Sequence, residues 1–153
     1  MPIGGNPDEI RAEAARVRGW AESLEGTADR VRTGHGVTWV GTAGDRYRDR
    51  LREHARDVTD RRDELRDLAR ALDRLAEEVE ERQAAIRRAA AVVEEAVDSA
   101  RGTLGRLWGV GRDLWTAGER EAEAAARRVI DTVGELPPPG SPRWVLLHTV
   151  LRP

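Results

Sequence analysis

No proline or glycine occurs between Asp45 and Arg101, and across that stretch apolar residues return at alternating steps of four and three. Tyr47, Leu51, Val58, Leu65, Leu68, Leu72, Leu75, Val79, Ile86, Val93, Val97 and Ala100 fall on that line, interrupted by His54, Arg61 and Arg82. A four–three rhythm marks one face of an α-helix, and no strand sustains it. The spacing predicts one helix of about fifty-five residues, roughly 80 Å at 1.5 Å per residue. Its outer face carries acid–arginine pairs such as Asp45/Arg48, Asp49/Arg52 and Asp67/Arg70. Each is worth a few tenths of a kcal/mol. The leucines at 65, 68, 72 and 75 mark this helix as one that needs cover.

A shorter helix is predicted upstream, over about residues 8–33. Its seam is Ile10, Ala14, Val17, Ala21, Leu24, Ala28 and Val31. The alanines allow close approach of a partner helix, and Trp20 widens the seam beside Ala21. Asn6 or Asp8 can cap this helix, with Pro7 at the first helical position if Asn6 is the cap. Gly19 and Gly26 each weaken it by up to about 1 kcal/mol relative to alanine.

Between the two helices Gly34, Gly36, Gly41 and Gly44 surround Trp39-Val40-Gly41. Glycines there supply positive φ angles or close backbone approach, and Trp39 supplies apolar area to plug the open end of a hairpin. Folded back through this bend, the first helix is expected to cover about residues 45–70 and to leave Leu72, Leu75, Val79, Ile86, Val93 and Val97 beyond its reach. At full burial such side chains are worth about 1.5–3 kcal/mol each. The seam Leu65, Leu68, Leu72, Leu75, Val79, Ile86, Val93 and Val97 is therefore read as a surface to be covered. The cover is either segment 104–134 folding back or a second chain completing a four-helix bundle, and both are expected to contribute. His54 and Arg61 on that seam either fix register or snorkel to its edge.

Residues 101–118 change character, with Gly102, Gly105, Gly109, Gly111 and Gly118 among Leu104, Leu107, Trp108, Val110, Leu114 and Trp115. The long helix should end or bend there. A third helix follows over about 119–134, then Pro137-Pro138-Pro139-Gly140, read as a stiff spacer. The apolar tail from Trp144 to Leu151 docks as a strand or turn, or stays loose. The expected organisation is a hairpin over 1–100, a glycine-interrupted bend and third helix over 101–135, and a spacer and tail over 136–153. The fold class is all-α, a helical hairpin with coiled-coil-like packing.

A hairpin of this size with Trp39 and Gly41 at the bend resembles the Trp-x-Gly family of type VII secretion substrates, the early-secreted-antigen-like proteins. The resemblance covers about residues 5–95. The opening Gly5-Asn6-Pro7-Asp8-Glu9-Ile10 also resembles the start of longer actinobacterial members. It implies antiparallel pairing as a homodimer, or as a heterodimer with a similar helical protein. It further implies recognition by a type VII motor ATPase or association with a secreted toxin. The chain runs past the end of the small members, so it either acts alone or leads a larger effector. The resemblance also implies a helical export signal of an aromatic, three residues and an acid. Trp115 and Glu119 match that pattern with tryptophan for the usual tyrosine, or Trp115 simply packs the second bend.

Chemistry is hard to place on this chain. Cysteine is absent, and His35, His54 and His148 have no neighbour at metal-ligand spacing, so no metal or cofactor is expected. The glycines at 102–111 match no phosphate loop and lack its lysine. All 26 basic residues are arginine, offset by 28 acids, and the signs are interspersed, which argues against a nucleic-acid surface. The first twenty residues contain no apolar core of a signal peptide, and no stretch approaches the roughly 20 apolar residues of a membrane span. Membrane contact through Leu104, Leu107, Trp108 and Trp115, with Arg101, Arg106 and Arg112 toward headgroups, ranks below core packing. The expectation is a non-enzymatic interaction protein, cytoplasmic before export and then secreted through a type VII system as a substrate or as the partner of an effector. The alternative is a structural coiled-coil dimerisation protein with no export role.

Overall fold

The computed structural model describes residues 5–33, 39–109 and 115–152. They form four α-helices: α1 (Pro7–Thr33), α2 (Thr42–Trp108), α3 (Ala117–Val133) and α4 (Arg143–Leu151). There is no strand among the described residues, and the fold is all-α. Gly34, His35, Gly36, Val110, Gly111, Arg112 and Leu114, each named above, lie outside the described residues.

The chain divides into two compact units, Gly5–Val79 and Glu80 onward, and α2 contributes to both. In the first unit α1 starts as the cap chemistry requires. The Asp8 N–H donates to Asn6 Oδ1 at 3.0 Å, and the Asn6 carbonyl accepts from the Ile10 N–H at 3.2 Å. Pro7 then occupies the first helical position, where its missing N–H costs nothing. Ala14, Val17, Ala21 and Ala28 are buried, and Ile10, Leu24 and Val31 half-buried, so the whole seam of α1 faces inward.

On α2 the inward rows are Leu51, Val58, Leu65, Leu72 and Val79, together with Ala55, Arg62, Ala69 and Ala76 four residues on from the first four. The alternative row three residues on, with His54, Arg61, Leu68 and Leu75, is exposed. The spacing alone admits either row. Packing selects the one with alanines, because Ala69 and Ala76 against Ala21 and Ala14 let the backbones come close, whereas Leu68 and Leu75 in their place would hold them apart. Arg62 keeps its side chain largely covered while its guanidinium reaches Glu25 and Asp63, at 3.3 and 2.7 Å.

Three contacts set the register of this antiparallel pair. Arg18 is ion-paired with Asp73, Arg66 with Glu25 at 2.7 Å, and Arg32 Nη2 donates to Thr59 Oγ1 at 3.2 Å. Each step of seven along α1 is a step of seven back along α2. The last turn of α1 thus lies opposite Thr59, and α1 continues well past Asp73. This corrects the expected coverage of residues 45–70. The bend occupies the first turns of α2, so α1 begins its cover later and Leu72 and Val79 lie within its reach. Leu75 is exposed by its angle around the helix.

In the second unit α2 continues through Gly102 and Gly105 to Trp108, longer than the apolar rhythm predicts. Ala100 and Leu107 are buried there, and packing of that face outweighs the roughly 1 kcal/mol each helical glycine costs. Ala89, Val93 and Val97 of α2, Val133 of α3, and Trp144 and Leu147 of α4 form one core, with Ile86, Ala90, Val129 and Leu151 packed against it. Gly134, at φ 60°, ends α3 and donates its N–H to the Ile130 carbonyl at 2.8 Å. The proline run is a tight turn rather than an extended spacer. The Ser141 N–H donates to the Pro138 carbonyl at 3.1 Å, with Gly140 at φ 81° in the position that needs it. The tail is a helix, and its buried Trp144 satisfies its indole N–H on the Pro138 carbonyl at 3.1 Å.

Candidate functional site

The backbone at the bend lies across the first turns of α2. Gly41 has a φ of 104°, open to glycine and strained for other residues, and its carbonyl accepts the Asp45 N–H at 3.1 Å. The Trp39 carbonyl comes down onto Gly44, where a Cβ would stand 2.5 Å from that oxygen and 3.0 Å from Trp39 Cβ. Arg48 Nη1 donates to the same carbonyl at 2.8 Å, while Nη2 holds Asp45 at 2.5 Å. The Trp39 ring meets Tyr47 edge-on with centroids 5.9 Å apart. Trp39 nevertheless remains 59% exposed and Val40 97% exposed. The tryptophan does not plug the hairpin, as its apolar area suggested; it is held outward on a tethered backbone. The sequence points to Trp39 and Gly41, counts Gly44 among the bend glycines and pairs Arg48 with Asp45, but ties neither Gly44 nor Arg48 to the Trp39 carbonyl. The spacing of Gly44 and Arg48, one turn apart on the same face of α2, is the available signal.

The other residues that the apolar rhythm and the motifs single out separate into two groups. Val79, Val93 and Val97 are buried within the chain, Ile86 packs against the second core, and Leu65 and Leu72 are half-buried. Leu68 and Leu75 are exposed. Trp115 is buried and lies before the cap of α3, so it does not share a helical turn with Glu119. Glu119 belongs instead to a capping box: its Oε2 accepts the Thr116 N–H at 2.6 Å, and its own N–H donates to Thr116 Oγ1 at 3.2 Å. The bond from the Thr116 backbone holds the Glu119 carboxyl below the ordinary glutamate range.

An open groove of about 320 Å³ runs beside α1's last turn, lined by Arg32, Arg52, Ala55, Arg56, Thr59 and Asp60. Its chemistry is that of a solvated guanidinium cluster, and Arg32 and Arg52 are already tied to Asp29 and Asp49 at 2.9 and 2.7 Å. His54 is exposed and His148 half-buried. No group of three or more metal-ligating side chains gathers among the described residues. No described helix is long and apolar enough to cross a membrane.

What the described residues offer is helical surface, with Trp39 exposed at the bend. A family model described as "Putative T7SS secretion signal domain" matches residues 2–136. Neither a curated protein nor a solved structure matches the chain. With most of its length inside that match, the chain belongs to the type VII secretion signal domain family.

Proposed function

We propose that this chain is a helical export module of a type VII secretion system, acting as a substrate or as the pairing partner of a secreted effector, and that Trp39 is the side chain read by the export motor. The observation that carries this reading is the exposure of Trp39 at 59% on a backbone fixed by Gly41, Gly44 and Arg48. A large aromatic left in water on a tethered backbone is spent poorly as core and well as a contact. The test is secretion of Trp39→Ala from the native host. Export should fail while helix content is kept, and normal export would overturn the reading.

Pairing has its own support. Residues three on from the seam, Trp20 on α1 and Leu68 and Leu75 on α2, are exposed. Residues one on from it, Arg18 and Glu25 on α1 and Asp73 and Arg66 on α2, carry the ion pairs. At about 3.6 residues per turn these two sets fall on opposite flanks of the seam, so the exposed apolar side chains and the ion pairs lie on opposite faces of the hairpin. The rim of the first face is of mixed sign, with Arg16 and Arg30 beside Glu9 and Glu13 on α1, and Asp57, Glu64 and Glu78 beside Arg50 and Arg61 on α2. A second copy placed by a twofold axis along the helices would set Trp20 of α1 toward the partner's Leu68 and Leu75. Cover for these three side chains favours self-pairing through this face. A coiled-coil dimer with no export role would keep the pairing and lose the dependence on Trp39.

A further inference from the structure

The geometry points to Gly44 and Arg48 as positioning residues for Trp39, so that the working unit of the bend extends from Trp39 to Arg48. The inference rests on the reading of Trp39 as the exported contact. Three restraints converge on one peptide group. Gly41 reverses the chain at a φ of 104°. Gly44 leaves the space into which the Trp39 carbonyl descends, since a Cβ there would stand 2.5 Å from the oxygen. Arg48 then fastens that oxygen with an N–H bond of 2.8 Å and is itself oriented by Asp45.

The consequence is directional. A carbonyl bound on the helix side turns the Trp39-Val40 unit outward, and the Tyr47 ring meets the indole edge-on with the two centroids 5.9 Å apart. That explains how two adjacent apolar side chains remain exposed beside an α-helix with buried positions near by. Without the Gly44 space the carbonyl must lift, and without the Arg48 donor it loses its charged partner. In either case the indole loses the backbone tether that fixes its direction against Tyr47. Gly44 acts by its lack of a side chain, and Arg48 acts through the Trp39 backbone; neither has to touch the motor.

The test uses full-length protein labelled with 5-fluorotryptophan, whose Trp39 resonance is identified by its loss in Trp39→Phe, alongside secretion from the native host. Gly44→Ala and Arg48→Ala should each shift the Trp39 resonance, leave the resonances of the other tryptophans in place, and lower export by about tenfold, the size of one lost hydrogen bond to a charged donor. Arg48→Lys, which keeps a cationic donor, should retain most of both signals. Helix content by circular dichroism should match the parent in all three. If Trp39→Ala blocks export but Gly44→Ala and Arg48→Ala are exported normally, the positioning role is overturned and the role of Trp39 stands. If Trp39→Ala is exported normally, the reading of the bend falls and this inference with it.

Discussion

Arg18 on α1 and Asp73 on α2 pair across the hairpin, and the pair sits in register with the Glu25–Arg66 bridge one heptad away. Alongside these ion pairs the helices meet through Ala14, Ala21, Ala69 and Ala76, all buried. The alanines decide the distance between backbones, and the charged side chains on one flank decide the sliding register.

The energetic weights of the two should differ. Both partners of the Arg18–Asp73 bridge are at least a third exposed, so Asp73→Ala is expected to cost under about 1 kcal/mol. Ala21→Leu pushes a larger side chain into a small-on-small contact and should cost about 1–3 kcal/mol. Urea unfolding of the two variants, compared at equal slope, checks the order. A larger loss in Asp73→Ala would mean that charge rather than close approach holds the hairpin.

The four–three rhythm made the all-α hairpin legible, as did the Asn6-Pro7 start and the stop at Gly134. It pointed to the Leu68–Leu75 row, whereas the row that is buried is Ala55–Ala69–Ala76, which obeys the same periodicity. Only the partner helix's own alanines break that tie. The bend's length along α2 was hidden too, since it depends on where the Trp39 carbonyl lands and on Gly44 being small. Hydrophobicity alone did not decide the tail either. Trp144 and Leu147 dock as a helix because Gly140 closes a turn and the Pro138 carbonyl takes the indole N–H.

Self-pairing predicts a specific pattern of loss. Leu68→Glu with Leu75→Glu should shift the protein to monomer by sedimentation while α1 and α2 stay helical, since both side chains are exposed in the hairpin itself. Trp20→Glu should weaken the dimer in the same way, since Trp20 is the large exposed apolar side chain of α1 on that face. A parent protein that is monomeric at high micromolar concentration would remove the self-pairing reading. A dimer untouched by Trp20→Glu would move α1 off the partner's α2.

The second core depends on Trp144. Trp144→Ala removes a buried ring shared by α2, α3 and α4 and should cost about 3–5 kcal/mol. Trp144→Phe keeps most of the ring but removes the indole donor from the Pro138 carbonyl, which retains the Ser141 N–H, a loss nearer ~1 kcal/mol. Hydrogen exchange locates the effect: amides of α4 should lose protection first, with those of α1 unchanged.

Glu119 gives the chain a pH-dependent helix start. Its carboxylate accepts the Thr116 N–H, and its folded pKa is lowered from the ordinary 4.5. The unfolded state therefore binds the proton more readily than the folded one in the window between the two values. Stability from this group is present above the unfolded pKa and lost as pH falls through the folded pKa. Amide exchange at the first turn of α3 should quicken over that acidic window and stay flat at neutral pH. Glu119→Gln, whose amide oxygen can still take the Thr116 N–H, should keep the box and abolish the titration. The same variant separates this capping role from the export role that the resemblance implies for Glu119. If the acid after Trp115 is read for export, Glu119→Gln should fall in secretion at neutral pH although α3 is intact. Secretion at the parent level would confine Glu119 to capping.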